Sequence, residues 1–139
     1  MKIKFKKLND KAVMPKKGSE EAAGYDLVAT SRMYQGGKYI YGTGLSVEIP
    51  KGYDGDLKAR SSIGKTFLSL VNGCGTIDSD YRGEIKAQFY PMNDHPVLYN
   101  VGDRICQLVI RKHEEVEWVE AKELNETERG DGGFGSTGK

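Results

Sequence analysis

Three stretches of this chain hold residues whose types and spacing suit chemistry on a charged, flat substrate. "ARSSIGKT", Ala59 to Thr66, sets an arginine before two serines and a glycine. Arg60 offers a two-pronged donor fork, and a short helix opening at Ser61 would point free amides outward, so the pair suits an oxyanion. The stretch also nearly matches the Gly-x4-Gly-Lys-Ser/Thr phosphate loop, with Ala59 in the first glycine's place. That loop requires a buried strand before it and a long helix after it. Here "GYDGDLK" precedes it and "FLSLVNGCG" breaks at glycine soon after, so the phosphate-loop reading fails on context. An anion site on Arg60 and a plain capped turn remain. "NGCGTIDSDYRGE", Asn72 to Glu84, reads as a β-hairpin. Its Asp78 could orient and deprotonate a water, and its Tyr81 could lie on a flat or sugar-like ligand, although an ordinary acidic turn uses the same residues. The third stretch is the end of the chain, "RGDGGFGSTGK". Arg129, Phe134, Ser136 and Thr137 stand among glycines whose amides could close around an anion, and the other reading is a disordered tail.

The elements that must position these residues are strands. At 139 residues, one domain and one core are expected. Eighteen glycines and short alternating runs point to an all-β sandwich or jelly roll. Ile3 and Phe5 share one face; Leu45, Val47 and Ile49 recur at period two, as do Ile85, Ala87 and Phe89. "RICQLVI" is apolar on both faces, as in a strand buried between layers, and "EEVEWVEA" is expected to turn Val116 and Trp118 inward. Only Ser61 to Leu68 looks helical, with a serine cap. Residues 1–124 are expected to form the β-domain and 125–139 a flexible arm. Lys and Arg total 21 against 20 Asp and Glu, a net charge of +1, so no global field recruits nucleic acid or an anionic membrane. Cys74 and Cys106 show neither metal-ligand spacing nor a disulfide pattern, no run approaches the ~20 apolar residues of a membrane span, and the amino terminus lacks an apolar signal core. A soluble, cytoplasmic protein is expected.

Taken in order, the stretches resemble the deoxyuridine triphosphate nucleotidohydrolases, the dUTPases. "AAGYDL" (22–27) is similar to the family's first motif, "ARSSIG" (59–64) to the second and "GTIDSDYRGE" (75–84) to the third. "GDRICQL" (102–108) is similar to the fourth and "RGDGGFGSTG" (129–138) to the fifth. The resemblance implies a jelly-roll-like distorted β-barrel, a homotrimer with sites shared between subunits, and hydrolysis of dUTP to dUMP and pyrophosphate. It implies Mg2+ held mainly by the substrate phosphates, with Asp26 and Gln107 reaching the metal only through water. Asp78 becomes the general base. Arg60, Ser61, Ser62, Gln107, Arg129, Gly135, Ser136 and Thr137 are assigned to the phosphates. Asn72, Gly75, Thr76, Ile77, Tyr81, Lys86 and Phe134 are assigned to uracil and deoxyribose.

The sequence also departs from the family pattern. Ala59 and Ser62 replace the proline and glycine usual around the second motif's Arg-Ser, and Asp131 adds a negative charge beside expected phosphate ligands. The two cysteines are read as packing, and His95 and His113 as solvated. The related dCTP deaminases share an Arg-Ser-Ser stretch but need a glutamate ten residues beyond the hairpin aspartate; that position is Gln88, which cannot act as a base. An inactive binding module is disfavoured because Asp78, Arg60, Gln107 and Arg129 are all retained.

Overall fold

The structure, a computed structural model, describes residues 1–136 and 138. Alternating apolar and polar runs, broken by glycine and proline, become β1 (Lys4–Lys7), β2 (Lys16–Lys17), β3 (Tyr25–Val28), β4 (Ser31–Gln35), β5 (Lys38–Gly42) and β6 (Leu45–Glu48). After these come β7 (Tyr53–Ala59), β8 (Leu68–Leu70), β9 (Cys74–Ile77), β10 (Lys86–Pro91) and β11 (Arg104–Lys112). The pairings form three sheets, ordered β1-β6, β4-β5-β10-β8 and β2-β3-β11-β7-β9. The all-β, jelly-roll-like expectation is met, with the strands divided among three sheets rather than closed into one barrel among the described residues.

Period-two spacing located the core. Leu45, Val47, Ile49, Ile85, Ala87 and Phe89 are all buried, packed with Leu27, Tyr41, Ile105 and Leu108. Tyr41, Phe89 and Tyr99 meet with ring centroids 5.7 to 6.0 Å apart, edge-on or tilted, the arrangement favoured by aromatic quadrupoles. No helix among the described residues is long and apolar enough to cross a membrane.

Three expectations fail. The helix over Ser61 to Leu68 is a single 3₁₀ turn, Ser61–Lys65, entered through Arg60 without a side-chain cap. Leu68 and Leu70 are drawn into the core as β8, which leaves too little chain for an α-helical ladder. The segment Asn72 to Glu84 is not a hairpin: β9 pairs with β7, whereas β10 pairs with β5 and β8. Ile77, which ends β9, and Ile85, just before β10, are both buried, but β9 and β10 lie in two different sheets, and the link between those strands exceeds the usual hairpin loop of about two to five residues. Last, Val116 and Trp118 do not turn inward. The last strand among the described residues ends at Lys112, and Trp118 is 92% exposed because none of the described residues covers it.

Candidate active site

Two groups of polar residues occupy different ends of the five-stranded sheet. The first lies where β3, β11 and β7 run side by side. The register sets Gln107 of β11 opposite Asp26 of β3 and Lys58 of β7. Cross-strand partners share a face, so Asp26 and Gln107 stand together. Arg60, one residue past the end of β7, closes the group: its Nε donates to Asp26 Oδ1 at 2.9 Å and its Nη1 reaches Ser62 Oγ at 3.4 Å. Gln107 Nε2 donates to the Ala59 carbonyl at 3.3 Å, and Ser61 is exposed beside it. The second Asp26 oxygen accepts from Arg104 Nη1 at 3.1 Å. Two guanidinium groups on one carboxylate leave a positive excess. With the Asp26 and Arg60 side chains only 14% and 24% exposed, that excess is poorly screened and suits an anion.

The backing of this corner is buried and inert. Burial, and next the Asp26 carboxylate, push the Cys106 thiol up to about 12, so it stays protonated at neutral pH and serves as packing. The Tyr99 phenol is also pushed up by burial, and its hydroxyl has no hydrogen-bond partner among the described residues. Gly24, buried, lies against the Gln107 side chain: a Cβ there would stand 3.1 Å from Gln107 Cβ and run into its amide.

The second group surrounds Asp78, exposed just past β9. Lys51, Asp54, Thr76, Asp78, Arg82 and His113 line an open depression of about 980 Å3, within the size range of small-molecule sites. Arg82 braces the turn that follows, its Nη1 donating to the carbonyls of Ser79 at 2.7 Å and Tyr81 at 3.1 Å. The Tyr81 ring folds over Gly83, where a side chain would collide with it, and its hydroxyl donates to the Glu84 carbonyl at 3.1 Å. Lys86 is exposed and lies 3.6 Å from Glu84 Oε2. β9 is the edge strand of its sheet, with Gly75 and Ile77 buried and Thr76 exposed, so one row of its backbone donors and acceptors is unpaired. Asn72 packs its amide against Gly75. Cys74 is exposed, and desolvation against its neighbours followed by the Asp56 carboxylate raises its thiol pKa, the reverse of what a nucleophile needs.

One chain does not bring the two groups together. Ile77 pairs with Gly55 near the start of β7, whereas Arg60 follows that strand's far end. Five residues at about 3.3 Å each separate them by roughly 16 Å along the strand. The arm joins neither group. Arg129 Nε donates to Gly132 O at 2.8 Å, and Phe134, Gly135 and Ser136 are exposed; every hydrogen bond of these described residues stays within the arm. Thr137 lies outside the described residues.

Two residues of the phosphate-like corner were missed from sequence, Arg104 and Gly24. A third feature, an apolar groove lined by Met1, Ile3, Phe5, Met14, Tyr25 and Ile110, holds none of the expected site residues.

Comparison with known proteins identifies the family. The dUTPase family model matches residues 10–138. Deoxyuridine 5'-triphosphate nucleotidohydrolases of a Hydrogenobaculum species and of Nautilia profundicola are similar at 42% and 43% identity, covering 99% and 100% of both chains respectively. Among solved structures, the dUTPase of Staphylococcus bacteriophage 80alpha with dUPNHPP gives a TM-score of 0.86 at 27% identity over 99% of both chains. A mutant dUTPase of phage phi11, described as coordinating a structural Mg(II) ion, gives 0.75 at 25% identity over 89% of this chain and 99% of that one. The chain, matched along nearly its whole length, belongs to the dUTPase family.

Proposed function

We propose that this chain hydrolyses dUTP to dUMP and pyrophosphate, limiting uracil incorporation into DNA and supplying dUMP for thymidylate synthesis. The observation that carries the reading is the corner where Asp26, Arg60 and Gln107 meet beside Ser61 and Ser62. There the Arg60 fork, the serine hydroxyls and the Gln107 amide replace the hydration of the α and β phosphates with fixed donors. Asp78 takes a proton from a water, the resulting hydroxide attacks the α-phosphorus, and the bond to the departing pyrophosphate breaks in line. Arg129, Gly135, Ser136 and Thr137 meet the γ phosphate as the arm, residues 125–139, closes. Phe134 then lies over the uracil ring.

The edge of β9 supplies base recognition. Its unpaired amides and carbonyls from Gly75 to Ile77, with Asn72 and Lys86 beside them, match the donor and acceptor order of uracil and leave buried groups unpaired with cytosine. Tyr81 fills the space a ribose 2'-hydroxyl would need, which rejects UTP. The donor set also fits Mg2+ as the metal. Asp26 and Gln107 face each other with oxygens that can accept from coordinated waters, and no cluster of three His, Cys, Asp or Glu among the described residues could enclose an ion. When bound, the ion neutralises charge on the triphosphate.

The same geometry supports a site shared between subunits, as in a homotrimer. With Asp78 beyond Ile77, and so more than roughly 16 Å from Arg60 along the direction of β7, a complete site takes Asp78 from one subunit and the phosphate corner from another. Incubation with dUTP and Mg2+ should release pyrophosphate and no ammonia; ammonia would mark a deaminase, and neither product a binding module. Asp78→Asn should lower turnover about a thousandfold, in the range of lost general-base catalysis, while dUPNHPP binding is retained. Unchanged turnover would remove Asp78 from the base role.

A further inference from the structure

We propose that Arg104 is a positioning residue for the metal-assisted step, fixing the Asp26 carboxylate so that its free lone pairs face the waters of the bound ion. The inference rests on the reading of Asp26 given above. Arg104 lies three residues before Gln107, so a regular strand would send the two side chains to opposite faces. The register between β11 and β3 shifts between Arg104 and Cys106, and Ile105 and Cys106 are both fully buried. That bulge turns Arg104 outward onto the Gln107 face, where its Nη1 reaches Asp26 Oδ2 at 3.1 Å.

The two arginines grip different oxygens of one carboxylate, Arg60 on Oδ1 and Arg104 on Oδ2. A carboxylate held at one oxygen pivots; held at both, its plane is set. Each oxygen keeps a further lone pair to accept from a coordinated water. Arg104 also limits how far Asp26 can claim the Arg60 fork, which leaves Arg60 available to a phosphate. The Arg104 side chain is 56% exposed, so replacing it opens no cavity in the core.

The test uses the full chain with Arg104→Met, Arg104→Lys, Asp26→Asn and the Asp26→Asn/Arg104→Met double variant. Two quantities are read: the Mg2+ concentration for half-maximal turnover at saturating dUTP, and the calorimetric affinity for dUPNHPP with and without Mg2+. Loss of a group that orients a metal contact costs about 10- to 100-fold. Arg104→Met should therefore raise the half-activating Mg2+ about tenfold and cut the Mg2+-dependent gain in dUPNHPP affinity by a similar factor, a larger loss than the one its missing positive charge causes in Mg2+-free affinity. Arg104→Lys should recover part of both, and in the double variant the Arg104 change should add little, since the two residues act through one carboxylate. A fall in Mg2+-free affinity as large as the fall with Mg2+ present would overturn the proposal by making Arg104 a phosphate ligand. So would an unchanged Mg2+ requirement in Arg104→Met when Asp26→Asn shifts it. If Asp26→Asn itself leaves the requirement unchanged, the underlying reading of Asp26 fails and the proposal with it.

Discussion

Gly24 shows how a residue with no chemistry of its own constrains the chemistry beside it. Its backbone lies where a Cβ would meet the Gln107 side chain, and Gln107 is one of the two residues that β11 brings to the phosphate-like corner. The obstruction is mostly the far end of a flexible amide, so Gly24→Ala should fold with little change in thermal midpoint. Gln107 must then rotate away from the Ala59 carbonyl and from Asp26. Displacement of a phosphate ligand by about 1 Å costs on the order of a hundredfold, so kcat/KM should fall between about 10- and 100-fold. Normal kinetics in a normally folded variant would show that Gln107 does not hold substrate. Glycine in "AAGYDL" is visible in the sequence, but the reason for it is a side chain more than eighty residues away, which only the fold supplies. Arg104 was hidden for a related cause. Its three-residue spacing from Gln107 argues against a shared face, and nothing in "GDRICQL" announces the bulge that overrides it.

At the scale of elements, strands buried on one face by their own chain were readable and segments whose partners lie elsewhere were not. Leu45 and Val47 of β6, with Ile49 just beyond it, recur at period two because they meet the core, and the same holds for Ala87 and Phe89 of β10 with Ile85 just before it. Val116 and Trp118 alternate equally well, yet period two says only that one face wants cover, not which body provides it. The hairpin expected over Asn72 to Glu84 fails because adjacency in sequence does not make adjacency in a sheet. Assignment to a different sheet from β10 leaves β9 with an open edge, the edge to which the proposed function gives base recognition. Under the proposed function the arm, residues 125–139, has a use: its glycines would let amides approach a triphosphate, and bound substrate would provide the free energy to order it. Cutting the chain after Gly130 removes Phe134, Ser136 and Thr137 but none of the buried core residues. The truncated protein should keep its thermal midpoint and sedimentation coefficient while turnover falls about a hundredfold or more, as for loss of preorganised anion donors. Full activity would return the arm to a disordered end.

The whole molecule poses the question that one chain leaves open, because its own surface is unfinished. Val116, Trp118, Val119 and Leu124 are 69% to 92% exposed in an extended segment. Each such side chain forgoes roughly 1.5–3 kcal/mol that burial would provide, so an assembly that covers the four gains several kcal/mol per subunit. The segment "HEEVEWVEAKE" is acidic, and "KIKFKK" at the amino terminus is basic, so contacts between copies of this chain have charge as well as apolar area to draw on. The separation of Asp78 from Arg60 turns this into a test that needs no structure of the assembly. Asp78→Asn lacks the base and Arg60→Ala lacks the phosphate fork, so each protein alone should be nearly inactive. In a mixed trimer, a site that takes its base from an Arg60→Ala subunit and its phosphate corner from an Asp78→Asn subunit is complete. Random assembly from equal amounts makes that combination at about one site in four. Coexpressed subunits, purified together and confirmed as trimers by sedimentation, should therefore recover about a quarter of wild-type turnover. If each site were built within a single chain, mixing would restore nothing, since every site would still lack one residue or the other.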